Sequence, residues 1–242
     1  MRRVYQGKLI FRVMLLLTAA VFYFADADFL MIEGIKALHS PAALIIWFFL
    51  LAELASRMFP NDKLCIGCQK EFERSYCEKE YEAAELKAQK AIQDKRAAVL
   101  AVIWLIVHIL IWSLYFIGML RSSELIMLTL LYHVGDMVCV LYWCPFQTIF
   151  MKNRCCTVCR IYNWDAVFLV TPILIIPGIM SLSLAIAAFA ITFRWEYRYR
   201  RYPERFFECS NDALTCANCK SRLCSRKKKL QKGLNKILNR II

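Results

Sequence analysis

The sequence has no G-x-x-x-x-G-K-[ST] phosphate loop, no G-x-G-x-x-G opening a helix, no H-E-x-x-H and no G-x-S-x-G. Those absences disfavour an ATP-driven pump, a soluble-type dehydrogenase and a zincin protease. Glycine and proline are scarce, at 7 and 6 of 242 residues, and no repeat of fixed period is visible, which excludes a collagen-like fibre. Charge is also thin, at 21 %, against 60 % apolar residues and a mean hydropathy of +0.44. Neither a soluble globule of this size, nor a disordered chain, nor a small secreted disulfide scaffold has that balance.

What is present is a set of long apolar runs with the charge packed between them, the layout of a polytopic membrane protein. Four runs reach or approach the length a hydrocarbon core demands, where every backbone amide must be satisfied within its own helix: Leu9 to Phe24, Pro41 to Phe59, Ala97 to Leu120 and Leu125 to Phe150. A fifth, Ala166 to Phe193, is interrupted by Pro172, Pro177 and Gly178. The basic start of the first run and its Ala25-Asp26-Ala27 end also fit a cleaved signal peptide, which leaves the side of the next segment unchanged.

Lys and Arg near span ends stay in the cytoplasm. Arg2, Arg3, Lys8 and Arg12 place the N-terminus inside; the acidic loop Asp26 to Ser40 and the turn near Arg121 lie outside; 60–96 and 151–164 lie inside. If the fifth run dips in and returns at Pro177-Gly178, every basic residue except Lys36 and Arg121 shares one face, and the charge count favours that hairpin over a single kinked helix with a translocated tail. The chain then divides into two spans (1–59), a cytoplasmic loop and charged helix (60–96), two further spans (97–150), a second cysteine loop (151–164), the broken element (165–193) and a basic tail (194–242). The expected fold class is all-α: four transmembrane helices plus a broken or re-entrant fifth element.

Outside the membrane, Lys70 to Arg96 lacks proline and reads as a long helix running into the third span. Arg194 to Tyr202 interleaves arginine with aromatics, which suits a headgroup-level belt. Leu230, Leu234, Ile237, Leu238, Ile241 and Ile242 form one face of a basic amphipathic helix suited to an anionic inner leaflet. RNA binding would leave that apolar stripe unexplained, so a nucleic-acid partner is disfavoured.

Eleven of the 12 cysteines are grouped. They read Cys65-x2-Cys68-x8-Cys77, then Cys144-x10-Cys155-Cys156-x2-Cys159, then Cys209-x6-Cys216-x2-Cys219-x4-Cys224; Cys139 stands alone in the fourth span as a small buried hydrophobe. All three groups fall on the reducing side of the predicted topology, which makes disulfides a poor explanation and metal ligation the leading one. Iron–sulfur clusters accept the irregular spacing and take four cysteines each; structural zinc is the alternative, although no group has a second knuckle or a nearby histidine; free or redox-active thiols are the third.

Polar groups also occur at membrane depth. His108 is central in the third span, and His133 and Asp136 share a face of the fourth, with Gly135 permitting close approach by a neighbour. Ionisable groups there are costly and mark a proton path, cofactor or substrate. Three uses compete: a bis-His haem b, a quinone protonated by His133 and Asp136, or interhelical hydrogen bonding. Glu53, four residues before Arg57, reads as a local ion pair.

The run Cys144-Pro145-Phe146-Gln147, then Cys155-Cys156-x2-Cys159-Arg160-Ile161-Tyr162-Asn163-Trp164-Asp165, with Arg194-Trp195-Glu196 and Cys216-x2-Cys219-x4-Cys224, resembles uncharacterised prokaryotic polytopic membrane proteins over roughly the last hundred residues. The resemblance implies a prokaryotic membrane protein with retained thiols and no particular chemistry. The resulting expectation is an inner-membrane electron-transfer protein. Iron–sulfur centres on the cytoplasmic face would take electrons from a soluble partner and pass them to a quinone or haem. The alternative is a non-enzymatic scaffold, folded by zinc, that docks a partner protein. Oligomeric state and companion subunits stay open.

Overall fold

The computed structural model describes residues 2–25, 41–61 and 64–219. The loop 26–40, Cys224 and the predicted amphipathic helix lie outside the described residues. Among these, the chain is all-helical, and its one extended pairing is an isolated bridge between Glu78 and Asn211. Five helices are long and apolar enough to cross a membrane: α1 (Arg2–Ala25), α2 (Pro41–Met58), α4 (Ala83–Phe116), α5 (Ser122–Leu141) and α7 (Ile179–Arg201). Two short helices, α3 (Ile66–Gln69) and α6 (Asp165–Val170), complete the order.

Local chemistry sets the boundaries. α2 opens on Pro41, whose missing N–H costs nothing in a first turn. α4 and α5 are joined by a turn in which Gly118 takes φ +82°, the left-handed region that a side chain resists. Glu124 then caps α5 by accepting from the Arg121 N–H. The predicted helix from Lys70 starts only at Ala83, because the stretch before it is pinned to the tail. The Asp212 N–H donates to the Cys77 carbonyl, and the Cys77 N–H to Asn211 Oδ1. The predicted fourth span is shortened to Leu141; Pro145 cannot donate to the ladder, and Phe146–Phe150 forms a separate wide turn.

One end of the bundle gathers most of the described cysteines. α1 runs antiparallel to α5, with Tyr23 donating to Glu124 at one end (2.9 Å) and Tyr5 accepting from the Cys65 N–H at the other (2.9 Å). The stretch from Asp165 leaves and returns at the C-terminal end of α2. Asp165 pairs with Arg57, and Arg194 donates to the carbonyls of Arg57 and Met58. Its apex, around Pro177 and Gly178, lies near the opposite end of α2, where Ala43, Met180 and Ser181 line one small recess. Leu50, Leu54, Ile126, Val170, Ile173, Ala188 and Ile191 fill the core between these elements. Large apolar side chains such as Ile10, Val102 and Phe193 face outward, as a lipid-facing surface requires.

Candidate functional site

The cysteine-bearing end is a compact layer built from three loops. Cys65 caps the single turn of α3, and its Sγ accepts from the Gly67 N–H; Cys68 Sγ donates to the Cys65 carbonyl at 3.0 Å. This turn seats on the second loop so closely that a Cβ at Gly67 would come within 2.7 Å of the Tyr162 ring and 3.1 Å of Thr157 Cα. Lys70, wholly buried, donates to the carbonyls of Thr157 (3.1 Å) and Cys159 (2.8 Å) and lies over the Trp195 and Phe206 rings. Burial draws its pKa down to about 8, although Cys159 and Cys155 oppose the fall. Arg160 ties the same loop to α4 and α7: it donates to Asp94 at 3.0 Å and in a fork to both oxygens of Glu196.

Beside this layer, at the C-terminal end of α5, lies an apolar cavity of about 490 Å³. Trp104, Tyr132 and Phe168 form its aromatic wall, with Trp104 and Phe168 stacked at 4.4 Å. Leu131 and Val138, which line it, are exposed, so the cavity opens toward the apolar outer surface of the bundle. Four thiols line it, Cys139, Cys144, Cys156 and Cys159: Cys144 is hydrogen-bonded to Cys139 and to Cys156, and Cys156 also donates to Gln147 Oε1 at 3.1 Å. The hydrogen bond to Cys139, followed by burial, pushes the Cys144 thiol up to about 12. Burial pushes Cys68 to about 12 and Cys159 to about 11. These thiols hold their protons at neutral pH, so reaction at any of them needs a base.

Two carboxylates stand on the same cavity wall, Asp136 and Asp165. Each is anchored by an arginine from the bundle side. Arg12 reaches Asp136 Oδ2 at 2.9 Å and also donates to Glu53 and to the His133 carbonyl; Arg57 holds Asp165 Oδ2, leaving Oδ1 buried with no partner among the described residues. Lys8 sits 3.9 Å from Glu53. Glu53 therefore pairs with α1, not with Arg57 four residues on.

The sequence-predicted residues are thus partly gathered and partly dispersed. Cys65 and Cys68 join the loop of Cys155, Cys156 and Cys159, whereas Cys77 is exposed beside Asn211. Cys209 and Cys219 are half-buried and Cys216 is exposed. His108 and His133 occupy separate settings. The His108 ring packs on Trp104 at 4.4 Å and near Tyr132, its Nδ1 against the Trp104 carbonyl; His133 Nδ1 lies 2.8 Å from the Thr129 carbonyl, on the side of Arg12. Neither histidine lines the cavity. Among the described residues, no three His, Cys, Asp or Glu side chains converge as a metal ion requires. A Cys-ligated cluster takes four thiolates around one centre; Cys139, Cys144, Cys156 and Cys159 share the cavity lining, and Cys224 of the third group lies outside the described residues. Gly135 lies on the cavity, with open space where a Cβ would be, and admits no neighbouring helix.

Arg12, Asp165, Tyr162, Gln147 and Cys139 were not legible as site residues. Arg12 carries a usable signal, a charge inside an apolar run, although it reads equally as one of the N-terminal basic residues that set topology. No protein-family model, no curated protein and no solved structure matches the chain.

Proposed function

We propose that the chain is a prokaryotic inner-membrane redox protein in which cysteine thiols transfer electrons to a quinone that enters the cavity from the bilayer. In this reading four helices span, the 165–193 stretch forms a hairpin returning to the cytoplasmic face, and the cysteine layer caps that face. The observation that carries it is the placement of Cys144, between two further thiols, on the wall of an apolar cavity open toward lipid. Stacked aromatic walls suit a flat ring, and a lateral opening suits a substrate dissolved in the membrane.

The chemistry balances without a resident metal. Cys144 and one of its two neighbours lose two electrons and two protons to become a disulfide, and the quinone gains both to become the quinol. Because the Cys144 thiol is held protonated, a base must take its proton; Asp136 and Asp165 are the carboxylates on the same wall. A soluble dithiol partner on the cytoplasmic side would return the protein to its reduced form.

Reduced protein in lipid nanodiscs, mixed anaerobically with a short-chain ubiquinone analogue, tests the proposal. The expected result is one quinol formed for every two thiols lost, abolished by Cys144→Ser. Quinone that stays oxidised, or quinol formed with no loss of thiols, overturns it.

A further inference from the structure

A second recess, of about 350 Å³, lies between α4 and α7 and, unlike the cavity, is lined mainly by charged side chains. Its polar lining is Lys90, Asp94, Arg160, Glu196 and Arg200, with Trp164 and Tyr199 as aromatic walls. Both helices change character at this site. α4 passes from a polar to an apolar stretch at Ala97 and Ala98, which line the recess, and α7 passes from apolar to basic at Arg194, just before Glu196. The recess therefore sits at the depth of the polar boundary of the bundle.

Its charges are not balanced. The buried guanidinium of Arg160 is committed to Glu196 and Asp94, and Lys90 stands 3.1 Å from the other oxygen of Asp94. Three cations face two carboxylates, and Arg200 is exposed with no partner among the described residues. Beyond the recess, toward the apolar side, Val102 on α4, one turn past Ala98, and Phe193 on α7, just before Glu196, are exposed by 57 % and 76 %. A single site thus offers an unanswered positive charge above and bare apolar surface below.

We infer that this recess binds the headgroup of an anionic phospholipid, with Lys90 and Arg200 on its phosphate and the acyl chains along Val102 and Phe193. A single excess cation matches a lipid of one negative charge, such as phosphatidylglycerol. Trp164 and Tyr199 occupy the interfacial position that aromatic rings favour, and basic pockets between spanning helices recognise headgroups in this manner. The inference is independent of the thiol chemistry.

The full chain, delipidated in detergent and exposed to equal amounts of phosphatidylglycerol and phosphatidylcholine, is examined by native mass spectrometry. One phosphatidylglycerol is expected to remain per chain, with retention falling about tenfold in the Lys90→Gln, Arg200→Gln double variant. The Lys87→Gln, Lys95→Gln double variant removes the same charge from exposed positions on α4 and should retain the lipid. Equal retention of phosphatidylcholine, equal loss in both double variants, or displacement of the lipid by millimolar inorganic phosphate overturns the inference, the last by making the recess a site for a free anion. Monodisperse elution and an unchanged melting temperature distinguish lost binding from lost fold. If the variant at Lys90 and Arg200 misfolds, Arg200→Gln alone carries the same comparison.

Discussion

Arg12 of α1 and Asp136 of α5 stand 2.9 Å apart in the interior of the bundle, and the same guanidinium also serves Glu53 of α2. One arginine therefore joins three helices. Burying such charges gains little over an apolar core, but breaking the set strands what remains. Arg12→Met should destabilise the protein by about 3–5 kcal/mol because Asp136 loses its ion-pair partner and Glu53 keeps only the more distant Lys8. Adding Glu53→Gln and Asp136→Asn to Arg12→Met should recover part of the loss. Thermal melts of the single and triple variants in one detergent check this, and a triple variant less stable than the single one would contradict it.

Gly67 is required by contact and not by backbone angle, since its missing Cβ leaves room for the Tyr162 ring. Gly67→Ala should cost about 1–3 kcal/mol through overpacking. Trimming the ring should relieve the clash, so Gly67→Ala combined with Tyr162→Leu should lose less than the two single changes added together. Simple additivity in melting experiments would show that the two residues are not coupled.

Lys70 makes stability depend on pH in a direction that can be worked out. The folded protein releases the Lys70 proton near 8, whereas the unfolded chain keeps it to about 10.4. Between those values the unfolded state binds more protons, so raising the pH favours the folded state. The stability of the wild type relative to Lys70→Met should be flat below about pH 8 and then move in favour of the wild type by up to about 1.4 kcal/mol per pH unit. Denaturation midpoints of both proteins at pH 7, 8 and 9 measure the difference; a difference that stays constant from pH 7 to 9 would show that Lys70 stays charged when buried.

The apolar runs identified the helices long and apolar enough to cross a membrane, because a 20-residue hydrophobic stretch has few other uses in a folded chain. Their ends were less legible. The stop at Leu141 depends on a proline four residues on, and the late start at Ala83 depends on a bridge to Asn211 far along the sequence. Spacing placed Cys77 with Cys65 and Cys68, and tertiary structure separated them. Cys139 looked like an isolated apolar residue because its partner Cys144 lies beyond the end of the helix. The cavity itself had no sequence signal, being formed where α5, the Phe146 turn and α6 fail to fill the space between them.

Gly135 offers the sharpest test of the cavity, because stability and binding should respond to it in opposite directions. It lies inside α5, where glycine is unfavourable, and a side chain there would meet nothing within 4 Å. Gly135→Ala should therefore stabilise the helix by about 0.5–1 kcal/mol. Gly135→Leu keeps a good helix former but projects its side chain into the cavity, displacing volume a quinone ring would occupy. The leucine variant should melt no lower than the wild type yet require a much higher quinone concentration to oxidise its thiols. Titration of the short-chain ubiquinone analogue against both variants and the wild type, with thiol loss as the readout, separates the effects. Unaltered quinone dependence in the leucine variant would place quinone binding elsewhere.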